Sequence, residues 1–244
     1  MKYRDDVHKY YDEDGDYLPA TYFIKTFEPY KDWNKIAIAY AKKHGRTVQS
    51  VQEEWNKNRD SAAAKGTKYH AEKERQMLNY ENVCFTEKAY TVNAVCTVDG
   101  IKEDINAKLD NNTIYPEKII WSKHYKICGT ADLVIVEDGL IHIKDYKTNK
   151  KLDFEAFDHP RTGKEKMKSP LTHLDCCNFN TYQLQLNLYM FMLLQQNRHL
   201  KMGTMTILHV IFDGDTAVDT LEIPVQNLQA EVRGMLEYYK SKHS

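Results

Sequence analysis

Gly129-Thr130-Ala131-Asp132-Leu133-Val134-Ile135-Val136-Glu137-Asp138-Gly139-Leu140-Ile141-His142-Ile143-Lys144-Asp145-Tyr146-Lys147-Thr148 is the stretch that decides the fold. Two runs rich in Val, Ile and Leu flank Asp138-Gly139, a dipeptide suited to the left-handed positions of a two-residue hairpin turn. Such a turn sets the register. Counting outward, Glu137 meets Leu140 and Asp132 meets Asp145, at a non-hydrogen-bonded position where side chains approach closely. Lys147, two residues further on, shares that face. Two opposed carboxylates repel unless a cation sits between them. Oxygen ligands suit Mg²⁺ or Mn²⁺, and a lysine beside such an ion can orient a water or offset charge on a phosphate under attack. The alternative is a surface hairpin with solvated acids, but the flanking apolar residues place these charges at the end of a buried sheet.

Around this hairpin the chain predicts an α/β fold with a mixed central sheet flanked by helices. Upstream, His8 to Leu18 reads as a Tyr-rich hairpin about Asp14-Gly15, with Pro19 as punctuation. From Asp32 to about Asn79 the pattern is helical, broken at Gly45, where Thr47 can cap the next helix, and again near Asp60-Ser61. Strands are predicted at Val92 to Val98, Ile119 to Tyr125, Thr130 to Val136 and Leu140 to Tyr146. Leu152 to Asn180 lacks periodicity and reads as a long loop or flap. Tyr182 to Gln196 is a helix, Thr204 to Phe212 a strand and Val225 to Lys240 a closing helix. The expected organisation is one domain: hairpin and helices over 1–80, a core over 83–215, and a closing helix over 225–242.

A chain of 244 residues with 34 Lys and Arg against 35 Asp and Glu gives no global argument for binding a polyanion, so any nucleic-acid site must be local. Between Lys144 and Lys168 eight basic residues face five acids, a modest patch that a solvated loop explains as well. Five cysteines, without a Cys-x-x-Cys pair, fit a reduced cytoplasmic protein better than a zinc site; adjacent Cys176 and Cys177 could form a redox pair or be ordinary thiols. Met1 to Asp16 is too polar for a signal peptide, and no apolar run approaches the ~20 residues of a membrane span.

Asp132 followed by Asp145-Tyr146-Lys147 resembles the motif of the PD-(D/E)xK nuclease superfamily, with its first half reduced to Ala131-Asp132 as in the RecB-like exonuclease branch. Gly66-Thr67-Lys68-Tyr69-His70 is similar to that branch's helical motif, and Tyr182, Gln185 and Tyr189 to its Tyr-x-x-Gln-x-x-x-Tyr helix. Glu117 matches an acidic position found in many members. The likeness spans roughly residues 60 to 195, and more loosely the N-terminal hairpin, the helices before His70 and the segment from Lys168 to Gln185 resemble phage-encoded relatives and the mitochondrial genome-maintenance exonuclease.

The resemblance implies a Mg²⁺- or Mn²⁺-dependent deoxyribonuclease acting in the cytoplasm, the host's if phage-encoded, and favouring single-stranded ends of DNA. His70, Asp132, Asp145, the Tyr146 carbonyl and Glu117 would serve the metal; Asp132, Asp145, Lys147, Gln185 and Tyr189 would serve catalysis. Lys147, beside two carboxylates, is expected to stay protonated and act electrostatically. No iron-sulfur cluster is expected, because no cysteine follows Cys177. Lacking helicase motifs, the chain would take any motor or recombination partner from a separate chain. An endonuclease of the same fold and a non-catalytic DNA-binding or scaffold protein are the rival readings. His70 could instead be a helical histidine satisfied by Glu74, Gln185 and Tyr189 simple packing, and Glu117 a surface acid.

Overall fold

The Asp138-Gly139 turn forms as its composition demands, with φ of 49° at Asp138 and 76° at Gly139. It joins β9 (Ile127–Glu137) to β10 (Leu140–Lys147), paired from Glu137 with Leu140 to Leu133 with Lys144. The predicted register holds along this ladder. The ladder stops one step short of Asp132 and Asp145. The computed structural model describes residues 1–4, 9–78, 82–84, 89–98, 101–104, 107–160 and 162–243; His8, Asn79 and Arg161 lie outside these.

The architecture is mixed α/β. β13 (Lys201–Asp213) runs parallel to β10 on its other side and pairs antiparallel with β14 (Thr216–Pro224). β8 (Thr113–Ser122) lies antiparallel to β9 along nearly its whole length. The beginning of β9 is also parallel to β3 (Gly15–Pro19), which continues the sheet through β2 (Lys9–Asp12), β1 (Lys2–Arg4), β7 (Ile101–Glu103) and β6 (Cys96–Val98). β4 (Asn82–Cys84) and β5 (Ala89–Val92) join at β8. On its face toward β3 and β10, β9 therefore changes partner: β3 at Ile127 and Cys128, β10 from Leu133 onward. Gly129 to Asp132 lie in the fork between.

Helices cover this sheet. α1 (Ala20–Lys25) starts directly after Pro19, where punctuation alone was expected, and buries Phe23 and Ile24. Proline at a helix start loses no intrahelical bond, so it opens α1 instead of ending the hairpin in a loop. α2 (Trp33–His44) is capped by Asp32, which accepts from Lys35 N–H, and closed by left-handed Gly45. α3 (Val48–Leu78) then runs unbroken for 31 residues, so the break expected at Asp60-Ser61 does not occur. Asp60 accepts from its neighbour Arg59 instead of capping, and Ala62 to Ala64 carry the helix through.

α4 (Asn178–Gln196) is buried around most of its circumference. Its polar residues are matched: Asn187 accepts from Leu228 N–H and donates to Gln226 O, which seats α5 (Gln229–His243). Residues 225–228 are that connection, not the helix expected there. The segment 152–177 is irregular as expected, apart from the small hairpin β11 (Asp158–His159) and β12 (Gly163–Lys164). It is nonetheless pinned to the body: Lys168 N–H donates to Phe27 O at 2.7 Å, and Met167 and Leu171 are buried. Among the described residues no helix is long and apolar enough to cross a membrane.

Candidate functional site

The fork in the sheet gathers the candidate residues. Where β10 leaves β9, Tyr146 N–H turns to the Asp132 side chain and donates to Oδ2 at 2.6 Å. Asp132 Oδ1 lies 3.1 Å from His70 Nδ1 on α3. Two glycines allow the helices to close in. A Cβ on Gly66 would stand 2.9 Å from Thr148 Oγ1, and one on Gly129 would stand 2.5 Å from the Tyr189 hydroxyl oxygen. Glycine at 129 is thus a packing requirement against the buried Tyr189 ring, whereas at 66 the neighbour is a hydroxyl that can rotate.

Opposite Asp132 on its other side is Glu117 of β8. Pro116 pairs with Leu133 and Lys118 with Ala131, which leaves Glu117 across from Asp132, with a φ of 48° in the left-handed region. Non-glycine residues seldom occupy that region, and such strain concentrates at functional sites. His70, Glu117 and Asp132 each present one ligand atom within 4.8 Å of the others, an arrangement able to hold a metal ion. Burial and the charge of Asp132 push the Glu117 carboxyl up to about 7, against the pull of Lys102. Burial draws His70 down, but its bond to Asp132 and the charges of Asp132, Asp145 and Glu117 outweigh this and raise it. Two acids and an imidazole whose proton they favour, gathered at one point, describe a site suited to added positive charge.

Asp145 takes a different place from the one its register suggested. It is buried, and its Oδ2 stands 2.5 Å from Lys147 Nζ, so the expected repulsion with Asp132 is largely relieved by the lysine. Oδ2 is thus occupied by the ammonium as an ion pair. The donor set that fits a hard divalent cation is the two carboxylates of Glu117 and Asp132 with the His70 imidazole. Burial raises the Asp145 carboxyl, opposed by Lys147; burial lowers Lys147 but Asp145 and Asp132 raise it further, so the ammonium is kept.

α4 fixes that ammonium from behind. Lys147 Nζ donates to Gln185 Oε1 at 3.1 Å, Gln185 Nε2 donates to Tyr189 Oη at 2.9 Å, and the Tyr182 ring lies 4.5 Å from Nζ. Gln185 and Tyr189 are one helical turn apart, which lets one chain of bonds run from the Gly129 wall to Lys147. The structure thus brings together His70, Glu117 and Asp132 as one group and Asp145, Lys147, Gln185 and Tyr189 as a second beside it.

No protein-family model matches the chain, and no curated protein matches it in sequence. Among solved structures it is similar to SSO0001, at 15% identity and a TM-score of 0.26, over 54% of this chain and 51% of that one. It is also similar to a protein of Eubacterium rectale whose name proposes an exonuclease, at 13% identity and a TM-score of 0.37, over 93% of this chain and 79% of that one. The chain spans about half the length of the first. Both likenesses are too distant to bear on activity, and what the site can do rests on its own residues.

Several neighbours of the site were not foreseen. Lys102 lies 3.1 Å from Glu74 and 3.6 Å from Glu117, so it is the counter-charge on the β8 side. Glu74, the alternative partner read for His70, pairs with Lys102 instead, while His70 meets Asp132; nothing near Lys102 in the sequence marks it. Tyr10 bonds Thr130 at 2.9 Å and stacks on Tyr3 with centroids 4.4 Å apart. These tyrosines, Gly66, His70, Lys102 and Glu117 line a cleft of about 410 Å³ that opens on the candidate metal ligands.

Proposed function

We propose that this chain is a divalent-metal-dependent nuclease of the PD-(D/E)xK superfamily, in its RecB-like branch, hydrolysing DNA phosphodiester bonds from single-stranded ends. The observation that carries the reading is a carboxylate and histidine group beside a buried lysine whose charge is held by Asp145 and whose position is held by Gln185. Asp132, Glu117 and His70 would hold Mg²⁺ or Mn²⁺, with Asp145 beside them holding Lys147. A bound ion would supply Lewis acidity and lower the pKa of a water to be used as nucleophile. Lys147, protonated and aimed by Gln185 and Tyr182, offsets charge that builds on the phosphate, and loss of one such group commonly lowers turnover by ~10²–10³-fold. The hydrogen bond from Tyr146 N–H orients Asp132 toward His70.

The reading is tested with linear and circular single-stranded DNA in Mg²⁺ or Mn²⁺, comparing wild type with Lys147→Met, which preserves side-chain volume. Wild type should degrade linear strands and spare circles, and Lys147→Met should be inactive. Wild-type turnover in Lys147→Met would overturn the assignment, and equal cutting of circles would favour an endonuclease.

A further inference from the structure

The arm formed by α2 and α3 carries a second feature that the cleavage site leaves unused. Trp33 is 64% exposed, and Ile36 and Tyr40, on the same side of α2, are also exposed. Large apolar groups left in water in one patch usually mark a binding surface. Trp33 and Tyr40 both meet the Trp55 ring edge-on, at centroid distances of 6.4 and 5.6 Å. Trp33, Gln52, Trp55, Asn56 and Arg59 line a cavity of about 620 Å³. Its walls are two indoles, two amides and a guanidinium.

The surrounding charge narrows what would fill it. Between Lys31 and Lys68 nine Lys and Arg stand against four acids, although the whole chain carries a net charge of -1. A polyanion is favoured here and nowhere on global charge. Indole faces stack on bases of any sequence, amides can bond base edges, and arginine pairs with phosphate. A duplex keeps its base faces covered, so the chemistry selects single strands.

Position along α3 connects the cavity to the site. Arg59 and His70 are eleven residues apart, which at 100° per residue places them about 20° apart around the axis. Trp55 lies roughly 22 Å from His70 along the same unbroken helix, at ~1.5 Å per residue. That is roughly six nucleotides at the ~3.4 Å rise of a stacked strand, or fewer if it is extended.

We propose that the cavity between Trp33, Trp55 and Arg59 is a stacking platform for single-stranded nucleic acid, gripping the substrate about six nucleotides or fewer from the cleavage site. The proposal rests on the nuclease reading for the strand's destination, whereas its binding can be measured without cleavage. Anisotropy of labelled dT20 and dT3 in EDTA, at several salt concentrations, should give a Kd for dT20 about ten-fold weaker in Trp33→Ala, with Trp33→Phe close to wild type. Arg59→Ala should reduce the salt slope for dT20 by about 0.7, the value for one phosphate contact on a single strand. With Mn²⁺, Trp33→Ala should raise KM for dT20 and leave kcat unchanged, and change neither for dT3. Trp33→Ala binding dT20 like wild type, or losing affinity equally for a 20-base-pair duplex, overturns the platform. So does equal loss in Trp33→Ala and Trp33→Phe. If no substrate is cut but the EDTA results hold, the nuclease reading fails and the platform stands.

Discussion

Replacing Glu117 by Gln should stabilise the metal-free protein, and the gain should depend on pH. Glu117 is held opposite Asp132, with its side chain 18% exposed, and its carboxyl is pushed from an ordinary 4.5 to about 7 by burial and by Asp132. Below pH ~4.5 it is protonated in both folded and unfolded chains and contributes no difference. As pH rises through the window from 4.5 to 7 the unfolded chain releases this proton and the folded chain keeps it, so wild-type stability falls. At ~1.4 kcal/mol per pH unit the full loss is about 3 kcal/mol, a ceiling that residual solvent contact will lower. Gln removes it. Lys102 keeps Glu74 at 3.1 Å, so losing Glu117 strands no cation, although His70 loses one charge that favours its proton, which trims the gain. At ~2–4 °C per kcal/mol for a chain of this size, Glu117→Gln should melt up to roughly 6–12 °C higher at pH 8 in EDTA and nearly level with wild type at pH 4.5. Calorimetry or fluorescence melts at both pH values read this directly. A Tm at or below wild type at pH 8, or the same offset at both pH values, would refute the opposition of Glu117 and Asp132.

Asp145→Asn should behave in the contrary way: by hairpin register alone it would relieve repulsion, but with Lys147 at 2.5 Å it leaves a buried ammonium without its partner. Denaturant melts in EDTA should show a loss of about 3–5 kcal/mol, and unchanged stability would mean that Lys147 is balanced elsewhere. Gly129→Ala should cost ~1–3 kcal/mol by forcing a methyl against Tyr189, with partial recovery in the Gly129→Ala, Tyr189→Phe double variant; additive losses would dissociate the two residues. Because His70 holds its proton above the ordinary value and a metal must displace it, the rise in Tm on adding Mn²⁺ should grow from pH 6 to pH 8. An equal rise at both, or in His70→Ala, would remove His70 from the metal group.

The hairpin was legible because its information is local. A left-handed turn at Asp138-Gly139 and a period of two are enough to place Asp132, Asp145 and Lys147 near one another, and an i to i+4 spacing is enough to align Gln185 with Tyr189. The α/β class followed from the same periodicities. Other features were hidden for one physical reason, that they depend on which distant segments meet. Whether Asp60-Ser61 ends a helix depends on competition between a side-chain cap and continued helical bonds, and Arg59 with the alanines that follow settles it for the helix. Which acid faces Asp132 most closely depends on β8 lying against β9 and on the left-handed backbone of Glu117, and nothing in the local sequence at 117 announces either. The hairpin register puts Lys147 on the face of Asp132 and Asp145, but its anchorage to Gln185 requires α4 to cross behind β10. Sequence by itself determined the residues of the hairpin and their register; the fork where β9 exchanges β3 for β10 was decided only by tertiary structure, because long-range pairing sets which side chains share the gap.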